Sequence, residues 1–154
     1  MPNQSTNNEV NVIILAAGQG TRMNSSISKV LHEVGNKTLI QHVIDAAMPL
    51  ASSINVIIGH NSESVKKSIQ NNLVKWVLQK NQLGTGHAVM QAIPSIKKDS
   101  MCLILYGDVP LIQTQTLINL LEKANKTGFS LLTVIQNDPS GYGRIIRDSS
   151  KSIQ

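Results

Sequence analysis

The sequence is short of aromatic residues and nearly free of cysteine: among 154 residues there are one Phe, one Trp, two Tyr and one Cys. So few aromatics offer no stacking platform for nucleic-acid bases. Lys and Arg outnumber the acids to give a net charge of +5, but they are scattered rather than gathered on a stripe. An anionic small molecule therefore fits the charge better than a nucleic-acid partner. The single Cys102 excludes an intrachain disulfide framework and agrees with a reducing compartment. Within MCLILY it reads as a small buried hydrophobe rather than a nucleophile. No apolar run approaches the roughly 20 residues of a membrane-spanning helix. The opening MPNQSTNNEV lacks the charged and apolar parts of a signal peptide. These absences predict a cytoplasmic protein with no membrane partner and a flexible tail over residues 1–9.

What is present is a 41% hydrophobic chain, enough for one domain over residues 10–154 with a real core. Short runs rich in Val and Ile recur: VNVIILAA, INVIIG, VKWVLQ, MCLILYG and FSLLTVIQ. They are continuous rather than alternating, as suits strands buried on both faces. Between them, TLIQHVIDAAM carries an apolar stripe of Leu39, Ile40, Val43, Ile44 and Ala47, opened by a Thr38/Gln41 capping-box spacing. SESVKKSIQ, TGHAVMQAI and TLINLLEKANKTG read as further helices, the last closed by Gly128. This alternation predicts an α/β domain with a mainly parallel sheet and helices on both faces. Ligands of such sheets bind beyond the carboxyl ends of the strands.

Four motifs fall at those ends. LAAGQGTRM, with Lys29 downstream, pairs a bare backbone turn at Leu15, Ala16, Ala17 and Gly18 with two cations, Arg22 and Lys29, suited to phosphate oxygens. The dinucleotide fingerprint is excluded, because Met23 stands where its third glycine belongs, and a Walker loop is excluded because Val30 follows Lys29. VLQKNQLGTGHAV places Gln79, whose amide accepts uracil or cytosine equally, near Gly84 and Thr85. LYGDVPLI brings Tyr106, Gly107 and Asp108 out of an otherwise uncharged strand, with Asp108 a candidate Mg²⁺ ligand beside a triphosphate. In DPSGYGRIIRD, Gly143 offers a backbone N–H to a ligand. Each also has an ordinary reading as a βα turn, a helix cap or a hairpin. His87 reads as a plain helix residue, Trp76 as core, and His32, His42 and His60 show no metal-ligand spacing.

Taken in order, LAAGQGTRM…K, QLGTGHA, LYGDVPL and GYGRI resemble the uridylyltransferase domain of the bacterial bifunctional N-acetylglucosamine-1-phosphate uridyltransferase / glucosamine-1-phosphate acetyltransferase family. The resemblance covers Val10 to Asp148. It implies a Rossmann-like nucleotidyltransferase fold and Mg²⁺-dependent formation of UDP-N-acetylglucosamine from UTP and N-acetylglucosamine 1-phosphate, a step of peptidoglycan and cell-wall synthesis. It further implies that Leu15, Ala16, Ala17 and Gly18 line the nucleotide and that Arg22 and Lys29 act catalytically on the phosphates. Gln79, Gly84 and Thr85 would bind uracil, Tyr106, Gly107 and Asp108 would border ribose and sugar, Asp108 would ligate Mg²⁺ and Gly143 would bond the sugar's substituent. Ser28 and Asn36 depart from the family's usual Pro and Gly; Asn tolerates a left-handed backbone. The resemblance also implies that the family's segments closing the sugar pocket, its second metal ligand and its trimerising β-helix acetyltransferase domain fall outside this chain. A different base or sugar phosphate, or a non-catalytic nucleotide-binding module, are the alternatives.

Overall fold

The four central residues of VNVIIL (residues 10–15) lie between neighbours on both edges and layers on both faces: Val12, Ile13 and Ile14 are fully buried and the polar Asn11 is 5% exposed. In the computed structural model, which describes residues 9–18, 27–59, 62–69, 71–150 and 153, this segment is β1 (Val10–Leu15). It pairs in parallel with β4 (Ser53–Ile58) and with β6 (Met101–Tyr106), and β4 pairs in parallel with β5 (Val74–Leu78). The sheet order is β5-β4-β1-β6. A small antiparallel ribbon, β2 (Glu33–Val34) and β3 (Lys37–Thr38), turns through Gly35 and Asn36. Asn36 has φ 63°, the left-handed conformation its side chain tolerates.

Helix α1 (Leu39–Ala47) buries Ile40, Val43, Ile44 and Ala47, the apolar stripe expected from its spacing. Thr38 Oγ1 accepts from the Gln41 N–H at 3.3 Å, which is half of a capping box. The Gln41 side chain does not return to the cap; it donates to Asp45 Oδ1 at 2.7 Å. With α2 (Glu63–Ser68) and α4 (Thr114–Thr127), α1 contributes to one core with Val12, Ile14, Ile54, Val56 and Leu103. Leu117 of α4 is fully buried there, and Gly128 ends the helix by donating to Ala124 O at 2.7 Å. Helix α3 (Thr85–Ala92) covers the opposite face, where Ala88 and Ala92 meet Ile13 and Ile57. Each large apolar side chain so buried contributes roughly 1.5–3 kcal/mol.

The structure corrects four expectations. FSLLTVIQ is not a strand: residues 129–136 run irregularly, with Phe129 64% and Ile135 99% exposed. A Val/Ile-rich run becomes a strand only where a neighbour takes its N–H and C=O groups, and among the described residues β6 pairs with β1 alone. Cys102 is exposed rather than buried, because β6 is an edge strand and the face carrying Cys102, Ile104 and Tyr106 is not covered by α3. Partial burial still pushes its thiol pKa up, away from nucleophilic character. For the same reason β5 and β6 are only partly buried, and Trp76 packs against the core from a half-buried position. Of the tail expected over residues 1–9, residues 1–8 lie outside the described residues, while Glu9 is anchored. Its carbonyl accepts from Met101 N at 3.0 Å and its carboxylate from Lys97 Nζ at 2.8 Å.

Candidate functional site

The chain steps outward from β1 through β4 to β5, then α3 carries it back across the other face to β6 on the far side of β1. The strand order therefore reverses between β1 and β6, and the carboxyl ends of these two strands splay around a crevice. Gly107 joins its walls by donating to Leu15 O at 3.0 Å. A Cβ at Gly107 would lie 3.1 Å from that same oxygen and 3.3 Å from Val30 Cγ1, so a side chain there would have to push its neighbours aside by a few tenths of an ångström.

The cleft beyond this junction has a volume of about 290 Å³. Its floor is the turn leaving β1, from Leu15 to Gly18, with Ala16 N held by Ile57 O at 2.9 Å. One end carries Lys29, Tyr106 and Asp108, and the other Gln79, Gly84 and Thr85. Ten of the residues proposed from sequence are thus brought to one cavity, and Gly107 closes its base. Arg22 lies outside the described residues. Gly143 is not part of the cavity lining; it follows a turn closed by Tyr142 N donating to Pro139 O at 3.0 Å, which the Arg144 guanidinium also braces.

Lys29 opens a short turn whose next residue, Val30, is buried at 5%, so the lysine is pinned at its base while its side chain remains 42% exposed. Its Nζ donates to Asp108 Oδ2 at 2.6 Å. Among the described residues no group of three or more His, Cys, Asp or Glu could enclose a metal by itself. A partly exposed carboxylate at Asp108 nevertheless suits an ion that takes most of its oxygens from phosphates and water.

At the other end Gln79 directly follows β5, and its N–H continues the ladder to Ile58 O at 2.8 Å. The residue is only 3% exposed, and its Nε2 donates to Gly84 O at 3.2 Å and to His87 Nδ1 at 3.0 Å. Gly84, at φ 99°, adopts a left-handed conformation that admits few other residues, and its carbonyl also caps α3 by accepting from Ala88 N at 3.1 Å. Sequence reasoning missed three lining residues, Val30, Gln82 and Ala88, and the contact of His87. Gln82 Nε2 donates to Ala17 O at 2.6 Å, tying the two loops together. The only signal for them was their nearness in sequence to Lys29 and to Gly84.

An open parallel sheet of this order, with a cleft at its switch point, defines a doubly wound α/β fold. The Rv0371c protein of Mycobacterium tuberculosis superposes with a TM-score of 0.68 at 16% identity, over 77% of this chain and 62% of that one. A nucleotidyl transferase from Methanothermobacter superposes with a TM-score of 0.67 at 20% identity, over 75% and 57% of the two chains. The 4-diphosphocytidyl-2C-methyl-D-erythritol synthase of Anaerococcus prevotii gives 0.63 at 15% identity, over 96% and 63%. The chain spans less than two thirds of the length of each. Residues 12–146 match the MobA-like NTP transferase domain, and the chain belongs to that family.

Proposed function

We propose that this chain supplies the nucleotide-binding part of a sugar nucleotidyltransferase that joins UTP to N-acetylglucosamine 1-phosphate, giving UDP-N-acetylglucosamine and pyrophosphate. The observation that carries this reading is the layout of the cleft, with a hydrogen-bonding amide at one end and a cation beside a carboxylate at the other. That spacing suits a base at Gln79, Gly84 and Thr85, and phosphates at Lys29. Backbone groups of Leu15 to Gly18 would lie along the nucleotide between them, and Tyr106 would border ribose and sugar. Arg22 and Gly143 keep their expected roles toward phosphate and sugar as part of the proposal.

The acceptor phosphate is its own nucleophile, since a phosphate monoester with a second pKa near 6 is mostly dianionic at neutral pH. No general base is needed. One acceptor oxygen bonds to the α-phosphorus in line, the α–β bridging bond breaks, and its electron pair leaves on pyrophosphate. Lys29 and Arg22 neutralise charge growing on the leaving group, and the rigid cleft holds donor and acceptor in register. Asp108 would hold a divalent cation, Mg²⁺ in this reading; a manganese complex of the Rv0371c protein is known. Such an ion, when bound, neutralises the triphosphate.

The test is pyrophosphate release, with Mg²⁺, from each common triphosphate paired with several sugar 1-phosphates. Fastest turnover with UTP and N-acetylglucosamine 1-phosphate is expected. Faster turnover with another pair would reassign the substrate, and tight UTP binding without any turnover would favour a non-catalytic nucleotide module.

A further inference from the structure

An amide side chain is ambiguous as a reader of bases, because a half-turn about its last bond exchanges donor and acceptor. The environment of Gln79 removes that ambiguity. The carbonyl of Gly84 can only accept, so the amide atom 3.2 Å from it is the nitrogen. The same nitrogen lies 3.0 Å from His87 Nδ1, and an NH₂ group can only donate, so Nδ1 accepts. Both amide protons are then engaged. The Gln79 Oε1 is met by no donor among the described residues, in a residue that lines the cleft.

We propose that His87 is a positioning residue for base selection: with Gly84 O it holds the Gln79 amide so that Oε1 faces the ligand, favouring uracil over cytosine. Uracil presents a ring N–H at its N3 position, which an acceptor oxygen welcomes. Cytosine presents a lone pair there, which Oε1 repels. This rests on reading the cleft as a nucleotide site. Turning the amide over would set Oε1 against the Gly84 carbonyl, which can only accept, and would keep a bond to His87 only if the imidazole proton moved to Nδ1.

The imidazole is itself held in place. Ala88, the next residue, is buried at 4% against the sheet, which fixes the first turn of α3. The assignment puts the His87 proton on Nε2, 3.3 Å from Gln91 Nε2. Gln91 is half-buried and already donates to His87 O at 3.2 Å, so it can turn aside more cheaply than the Gly84 backbone can.

Equilibrium binding of UTP and CTP to the whole chain with Mg²⁺ tests the proposal, using His87→Leu, which removes the acceptor, and His87→Asn, which returns one near the position of Nδ1. The UTP:CTP affinity ratio should fall about tenfold in His87→Leu, the effect of losing one orienting hydrogen bond, and recover largely in His87→Asn. Should His87→Leu lose its native circular dichroism, His87→Gln serves instead; its amide reaches past the Nδ1 position and should behave as Leu does. A wild-type preference for UTP that survives both His87→Leu and His87→Gln would overturn the role of His87 alone. Failure of the wild-type chain to bind either nucleotide would overturn the nucleotide reading along with it.

Discussion

Lys29 and Asp108, 79 residues apart in the chain, form an ion pair at 2.6 Å at one end of the cleft, with side chains 42% and 29% exposed. In the proposed site each would be the partner the other surrenders when a phosphate and a cation arrive together. With EDTA present, a triphosphate bound as proposed would take Lys29 away from Asp108 and leave a carboxylate facing its own negative charge. Asp108→Asn should then bind metal-free UTP several-fold more tightly than the wild type, and Asp108→Asn combined with Lys29→Met should lose the gain. Weaker metal-free binding in Asp108→Asn, measured by calorimetry, would contradict the pair exchange.

With Mg²⁺ present the sign reverses for catalysis. Asp108→Asn should abolish metal-dependent turnover while leaving the fold intact, because a partly exposed ion pair contributes about 1 kcal/mol or less. A thermal melt alongside the pyrophosphate assay separates the two effects.

Lys29→Ala should lower turnover by orders of magnitude, since contacts to transferring phosphates commonly carry several kcal/mol. Val30, not Lys29, anchors that turn in the core, so the variant should remain folded. Near-normal pyrophosphate release would remove Lys29 from the site.

Gly107→Ala addresses the junction of β1 and β6. The new methyl meets backbone at 3.1 Å, which cannot move without disturbing β1. A loss of about 1–3 kcal/mol in urea unfolding is expected, as for other overpacked positions.

Ser28 sits at φ −53° and ψ 135°, within the range proline imposes, and its carbonyl rather than its N–H serves the following turn. Ser28→Pro should therefore stabilise the domain by about 0.4–1 kcal/mol through the unfolded chain. An unchanged or lower midpoint of urea unfolding would show strain at Ile27 or Lys29.

Local signals were the legible ones. The stripe of α1, its Thr38 cap and the Gly128 stop depend on residues within a turn or two of each other, so the sequence alone discloses them. The cleft was legible for a topological reason: a parallel sheet delivers the residue after each strand to one edge, which gathers Leu15, Gln79 and Asp108. What depends on a distant partner was not legible. Residues 129–136 have strand-like composition but, among the described residues, no ladder, and Cys102 belongs to a strand whose outer face has no helix over it among those residues. His87 touches Gln79 only because the loop closes at Gly84, and neither residue announces the other.

The order β5-β4-β1-β6 also fixes a sequence of events during folding. β1 can dock with β4, and β4 with β5, once the first half of the chain exists, but the other side of β1 waits for β6, made much later. Pairings across so much chain are slow to form. Until β6 arrives, Val12 and Ile14 stand beside an open backbone edge, the kind that recruits strands from other molecules. Conditions that slow the arrival of β6 should therefore divert newly made chains to aggregates before the cleft ever forms.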